Sequence, residues 1–318
     1  KSLAVISALE NDVFNPKTVI RCNGSIELYG EKFHCWKKKG HGYMDMREGL
    51  KQSCDVYFYE VARKLGIDRL SETAKKFGLG EKVLDGFIEE RTGVVPNTSW
   101  KKKFIGKNWY LGETLHAGIG QGYWQSSPMQ LCLMTAQIAN GGYKIKPRII
   151  LNDEENDKFS DLNQFIEDRK LFADDVVSLY DFISKFRYKS LFRNPENIKF
   201  VIDALYGATN EPGGTSYGSR LTKKGFVFAG KTGTSQVKRF TARQRELEIK
   251  NEDLPYEDRD HALFVAFAPY KDPRYAISVV IEHGGSGSKS AAPIAKKVIK
   301  KVLERHPLRE SQANGEIV

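Results

Sequence analysis

Residues 226–237 read FVFAGKTGTSQV, and this stretch decides the fold class. Apolar residues at Phe226, Val227 and Phe228 and again at Val237 frame a polar centre, as in a strand that passes from a core to a ligand site. Ala229 and Gly230 leave room for a ligand to lie against the backbone beside Lys231. Two more runs of strand character follow, HALFVAFAPY (261–270) and RYAISVVIEHGG (274–285), and Lys271-Asp272-Pro273 joins them as a hairpin connection. Upstream the period is helical. Leu3, Ile6 and Leu9 share one face; Val56 to Gly66 forms a second run, stopped by Gly66; DRLSETAKKFGLG (68–80) forms a third, closed by Phe77-Gly78. Ser126-Ser127-Pro128 caps MQLCLMTAQIAN (129–140), which Gly141-Gly142 ends. An amphipathic run ends near Gly207, the Gly-rich turn EPGGTSYGS (211–219) follows it, and a last helix is expected from about Ala291 to Glu304. Consecutive strands with helices before and after predict an α+β fold: an antiparallel sheet flanked by helices, with an all-helical subdomain.

A chain of 318 residues, 40% of them hydrophobic, can bury a full core as one large domain or two ordinary ones. No run approaches the roughly 20 apolar residues of a membrane helix. The opening KSLAVISALE breaks at Glu10 and reads as a core helix entered partway, so its element is expected to continue upstream. The formal net charge of +10 raises the question of nucleic acid, with basic clusters at Lys37-Lys38-Lys39, Lys101-Lys102-Lys103 and Lys296 to Lys301. No zinc-finger, RNP-type or helix-turn-helix signature accompanies them, so solvated helix faces are the plainer reading, and an anionic wall polymer or membrane surface fits the charge as well. Residues 152–193 turn charged and read as a peripheral insertion without chemistry. The polar tail 306–318 is expected to be disordered, leaving 1–305 as the folded domain.

The chemistry begins at Lys231-Thr232-Gly233-Thr234. A lysine and two hydroxyls on a strand can bind a carboxylate while the backbone takes an extended peptide as an added strand; alone, the same residues read as a polar edge strand. Ser53-Cys54-Asp55 stands just ahead of a helix, where Asp55 is also a possible N-cap. Lys1, then Ser-x-Asp, then Lys-Thr-Gly follow the order of the S-x-x-K, S-x-N and K-T-G motifs of serine acyltransferases. With these motifs, the text of 40–80 (GHGYMDMREGLKQSCDVYFYEVARKLGIDRLSETAKKFGLG), IGQGYWQSSPMQL (119–131), KTGTSQV and HALFVAFAPY resembles the class B penicillin-binding proteins of cell elongation, over nearly the whole chain outside 152–193.

That resemblance implies a β-lactamase/transpeptidase-like fold and a peptidoglycan D,D-transpeptidase that cross-links stem peptides through a serine acyl-enzyme and is a target of β-lactams. Lys1 resembles the lysine of S-x-x-K, one helical turn after a nucleophilic serine expected just upstream. In these roles Lys1 takes the serine proton, Ser53 relays it to the leaving D-alanine amine, and Lys231 supplies a neighbouring cation. The Thr234 N–H joins the oxyanion hole, and Thr232, Gly233 and Thr234 hold the terminal carboxylate of D-Ala-D-Ala. Asp55 replaces the Asn of many relatives, as in the elongation branch; an ionised Asp accepts hydrogen bonds but donates none. The resemblance further implies an inner-membrane anchor, a periplasmic catalytic domain, glycan-polymerising and shape-determining partners, and no organic cofactor. Rival readings are a serine β-lactamase, a penicillin sensor and a non-catalytic scaffold. The segment 119–128 reads as a structural loop beside the site, and His116, His261 and His283 as surface or core residues.

Four cysteines in an oxidising compartment suggest disulfides, with three possible pairings. Cys132 falls in the apolar register of the 129–140 helix and reads as core. Cys22, Cys35, His41 and Cys54 remain, and three thiolates with an imidazole make a closed tetrahedral site for structural zinc, with a Cys22–Cys35 disulfide as the alternative. The turn KKKGHG brings His41 beside Cys35, and elongation-type relatives resemble this chain in carrying metal ligands at similar places.

Overall fold

Helix α1 (Ser2–Glu10) is buried along almost all of its length, with Ala4, Val5, Ile6 and Ala8 each 1% exposed or less. Small residues alternating with aliphatic ones let neighbours approach it on every side, which makes it the axis of the helical region. Against it pack α3 (Asp55–Leu65) and α4 (Ile67–Lys76). Val56, Tyr57, Phe58 and Val61 of α3 supply most of the shared core. Gly66, at φ +80°, ends α3 where the sequence placed the stop.

The computed structural model describes residues 1–84, 86–147, 149, 190–238, 241, 244, 247 and 249–305. Most of the insertion expected at 152–193, and all of the tail at 306–318, therefore lie outside the described residues.

Two short ribbons stand between α1 and the next helix, in a turn-rich, Cys-containing stretch of the sequence. β1 (Ile20–Cys22) pairs antiparallel with β4 (Gly42–Met44), and β2 (Ser25–Leu28) with β3 (Glu31–His34). α2 (Met46–Lys51) follows, its N-terminus capped by Asp45, which accepts the Glu48 N–H. α5 (Thr98–Ile105) and α6 (Leu111–Gly118) lie beyond α4. Here the sequence reading of Lys101-Lys102-Lys103 as a solvated face fails for one residue: Lys101 is 2% exposed, 2.5 Å from the Glu113 carboxylate, with the rings of Trp109, Tyr110 and Tyr123 around its ammonium. α7 (Pro128–Ala139) has the expected start: Ser127 Oγ accepts the Gln130 N–H at 3.1 Å, and Gln130 Oε1 accepts the Ser127 N–H at 3.0 Å.

α8 (Pro195–Asn210) joins the two halves of the fold, packing on α1, α2 and α7 and on the sheet. Its start is held by the buried Glu10 carboxylate, which accepts the Arg193 N–H at 2.8 Å and the Asn197 amide at 2.7 Å. The sheet has three antiparallel strands in the order β5 (Ala229–Ser235), β6 (His261–Ala268), β7 (Tyr275–Ile281). Lys231 stands opposite Val265 and Thr234 opposite Ala262. One face is covered by α9 (Ala292–Arg305), whose Ala292, Ala295, Ile299 and Leu303 meet Phe264 and Ala266. α7 and α8 cover the other face, and among the described residues β5 is one outer strand of the sheet and β7 the other. Cys132 is half-buried rather than fully core, its sulfur 3.5 Å from the Ala276 carbonyl of β7. No helix of the described residues is long and apolar enough to cross a membrane.

Candidate active site and thiol cluster

The loop between α2 and α3 carries Ser53 at φ +58°, and the side chain of Lys1, at the head of α1, reaches into it. Lys1 Nζ donates to the Ser53 carbonyl at 2.8 Å, to Ser53 Oγ at 2.9 Å and to Asp55 Oδ1 at 2.6 Å. Asp55 is not the N-cap of α3. It is the first residue of that helix, and its carboxylate is shared between Lys1 and the Trp36 backbone N–H, 2.8 Å from Oδ2. Trp36 also donates its indole N–H to the Ser53 carbonyl at 3.0 Å. No motif points to Trp36, because its part is played by a backbone N–H and an indole at one rim of the loop.

Lys231 is 7% exposed, and its Nζ donates to the Thr232 carbonyl at 3.1 Å. Burial, and then the cation of Lys1, push the Lys231 ammonium down to about 7, opposed by the Asp55 carboxylate. The three charges thus share one site, although 230 positions of sequence separate the lysines. The Thr232 hydroxyl donates to Thr215 Oγ1 at 2.9 Å, and the Thr215 N–H donates to the Lys51 carbonyl at 3.4 Å. Thr215, from the turn read earlier only as Gly-rich, therefore touches both motif-bearing segments. Behind it, Arg47 of α2 bonds Asp203 of α8 and Glu211 beyond it, tying the Ser53 loop to the helix that leads into β5. Thr234 lies at the exposed end of the strand, and Gly233 between it and Thr232. His261 and His283 pair with each other beyond that end, His261 Nδ1 accepting the His283 N–H at 2.9 Å.

Beside the Ser53 loop, one ligand atom each from Cys22, Cys35, His41 and Cys54 lie within 4.8 Å of one another. All four cysteines are free, and the three in the cluster are 5% exposed or less. His41 Nδ1 faces the Cys22 and Cys35 sulfurs at 3.6 and 3.5 Å. Cys35 also accepts the Asp55 backbone N–H at 3.3 Å. The hydrogen bond from Cys54, with help from His41, holds the Cys35 thiol far below its ordinary range, while the same bond and burial push Cys54 up. Three buried sulfurs and an imidazole within reach of one another have the donor set of a closed metal site. His41 Nε2 is buried and has no hydrogen-bond partner, which leaves Nδ1 as the atom turned to the sulfurs.

The family model for the penicillin binding protein transpeptidase domain matches residues 1–300, and the chain belongs to that family. The motifs pointed to the PBP2 branch, and relatives of that branch are among the matches. The chain is 33% identical over 301 residues to the peptidoglycan D,D-transpeptidase MrdA of Salmonella typhimurium, covering 94% of this chain and 45% of the relative. It is 33% identical over 322 residues to MrdA of Acinetobacter baumannii, covering 99% and 44%. Among solved structures it is similar to PBP2 in the complex with MreC from Helicobacter pylori, with a TM-score of 0.77, 30% identity and coverage of 97% of this chain and 49% of that one. Pseudomonas aeruginosa PBP2 in complex with WCK 5153 gives a TM-score of 0.72 at 31% identity, covering 95% and 59%. The chain spans less than half the length of the curated relatives it matches.

Proposed function

We propose that residues 1–305 form the transpeptidase domain of a peptidoglycan D,D-transpeptidase that cross-links stem peptides during cell elongation and is acylated by β-lactams. One observation carries this reading: Lys1 Nζ bonds Ser53 Oγ at 2.9 Å and Asp55 at 2.6 Å, within electrostatic reach of the buried Lys231 on the strand of the K-T-G motif. A serine one turn ahead of Lys1 would attack the penultimate D-alanine carbonyl, giving its proton to Lys1 once Lys1 has released its own ammonium proton and is a neutral amine. The developing oxyanion would meet the Thr234 N–H, a kind of donor that contributes about 3–4 kcal/mol to kcat. Ser53 would pass the proton to the departing D-alanine amine as the C–N bond breaks. An amine of a second stem would then attack the ester and free the serine. Lys231 would complement the substrate carboxylate with Thr232 and Thr234, for which Thr232 must exchange its bond to Thr215.

Zinc at Cys22, Cys35, His41 and Cys54 belongs to the same proposal, supported by the mutual reach of the four ligand atoms. Its contribution would be structural, fixing the loop on which Ser53 and Asp55 stand. The family resemblance carries an inner-membrane anchor and a periplasmic location into the same proposal, and the complex of Helicobacter pylori PBP2 with MreC supports partners in the shape-determining machinery. Incubation of the protein extended upstream of Lys1 with a fluorescent penicillin tests the core of the reading. A persistent covalent adduct is expected. Rapid turnover would favour a β-lactamase, and a folded extended protein without adduct would remove the acyl-enzyme.

A further inference from the structure

Lys101 has no part in the reaction described above, yet it is 2% exposed, a deeper burial than the 7% of Lys231. A buried lysine–carboxylate pair is weak support for a fold, because the lost hydration of two ions offsets most of their attraction. What such a pair can do is fix a geometry. Helix α5, which carries Lys101, is itself anchored: Asn97 Oδ1 accepts the Trp100 N–H at 2.6 Å, and Asp68 Oδ1 of α4 accepts the Thr98 N–H at 3.0 Å. From this base the Lys101 ammonium donates to Glu113 Oε1 at 2.5 Å. The ring centroids of Trp109, Tyr110 and Tyr123 stand 5.8, 4.7 and 5.9 Å from it, within the reach of cation–π attraction.

The same carboxylate holds two further groups. Glu113 Oε2 accepts the Tyr110 N–H at 2.8 Å, just ahead of α6, and Oε1 accepts the Tyr123 hydroxyl at 3.3 Å. Tyr110 and Tyr123 stand on either side of α6 and the loop that follows it. That loop has little stiffness of its own, since Gly120 and Gly122, at φ +82° and +83°, flank Gln121. Gln121 returns one bond to α6, from its N–H to the His116 carbonyl at 3.0 Å. Its side chain rests on the open end of β5, donating to the Thr234 carbonyl at 2.6 Å and accepting the Gln236 N–H at 3.3 Å. We infer that Lys101 is a positioning residue for acyl transfer: its ion pair with Glu113 ties both ends of the segment 110–123 to α5, and the loop so fixed holds the open end of β5, with Thr234, in place. The inference rests on the transpeptidase reading and deepens it. A misplacement of about 1 Å, caused far from the chemistry, can cost about a hundredfold in rate.

The test uses the protein extended upstream of Lys1 and a fluorescent penicillin at several concentrations, so that initial binding and the acylation step are read separately. Lys101→Met/Glu113→Gln removes both charges at nearly constant volume, and the single oxygen of a carboxamide cannot replace two carboxylate oxygens as acceptors for Tyr110 and Tyr123. This double variant is expected to melt close to the parent, because a buried pair replaced on both sides leaves no stranded charge. Its acylation step is expected to slow at least about tenfold with initial binding unchanged, and hydrogen exchange in residues 119–123 and 229–236 to speed up about tenfold. Lys102→Met, at the exposed neighbour, is expected to match the parent throughout. If the double variant does not fold, Tyr123→Phe takes its place: it keeps both charges and the ring, loses only the hydroxyl, and is expected to slow acylation about threefold at an unchanged melting temperature. A folded variant that acylates like the parent, or whose slowing only follows its loss of folded protein, would make the pair purely structural and overturn the inference alone. A parent that forms no adduct would sink the acyl-transfer reading, and this inference with it.

Discussion

The Cys35 sulfur accepts the backbone N–H of Asp55 at 3.3 Å, so the thiol cluster and the loop that carries Ser53 are joined by a direct bond. Any change in the charge or position of that sulfur is felt one residue from Cys54 and two from Ser53. Protein purified without chelator is expected to hold about one zinc per chain by metal analysis. Cys35→Ser, or stripping by a strong chelator, is expected to remove it and to lower the unfolding temperature by roughly 10 °C or more, because the binding energy of a structural zinc is folding energy. Mass spectrometry that finds a Cys22–Cys35 disulfide and no metal would replace the zinc assignment with the disulfide one.

Lys1 and Asp55 form an ion pair whose side chains are 11% and 12% exposed. Removing one partner of such a pair leaves the other charge without compensation, at a cost of about 3–5 kcal/mol. Asp55→Ala is expected to lose about that much in urea denaturation, since it also strands the Trp36 N–H. Asp55→Asn keeps an acceptor for Trp36 and is expected to lose distinctly less. Equal losses would show that the Trp36 bond adds nothing.

Lys231 has its ordinary value of 10.5 lowered to about 7, mainly by burial. Between those values the unfolded chain binds a proton that the folded chain does not, so folding stability from this group rises as pH climbs from about 7 to about 10.5, and is lost as pH falls back. Compared with Lys231→Met, which lacks the titration, the parent is expected to gain stability across that window. Parallel curves would show that Lys231 is not held low. Independently, Lys231→Ala is expected to slow acylation at least about a hundredfold, the scale of losing a preorganised electrostatic group; a change under about threefold would leave the motif a merely structural strand.

The two partners of the Lys231 strand were legible because each run is long, apolar and bounded by turn residues, and the Lys231 strand itself because the apolar Phe226, Val227 and Phe228 lead into the K-T-G motif. α7 was legible because Ser127, Pro128 and Gly141 mark both of its ends. The ribbons between Ile20 and Met44 were not, because strands of three or four residues with mixed exposure carry no readable period. Lys101 was read as solvated because burial of a lysine depends on Glu113 and three rings brought in from other positions. Motif order singled out Lys1, Ser53, Asp55 and Lys231, but Trp36, Gln121 and Thr215 act through contacts that only the folded chain creates. Gln121 was visible as part of a loop and silent as chemistry, since its partners are backbone atoms more than a hundred residues away.

Ser53 occupies the left-handed region at φ +58°, a conformation that costs an L-residue about 1–2 kcal/mol and glycine almost nothing. The hydroxyl proposed as the proton relay thus stands on the one position of its loop where the backbone would relax if the side chain were lost. Ser53→Gly forfeits the bond from Lys1 to Oγ but keeps the bond from Lys1 to the carbonyl of residue 53, at 2.8 Å. Selection for thermal robustness alone would tolerate glycine there, and selection for turnover would not. A laboratory lineage enriched only for solubility or melting temperature would drift toward a well-folded, inert protein at this residue, so any such screen needs an acylation step in every round.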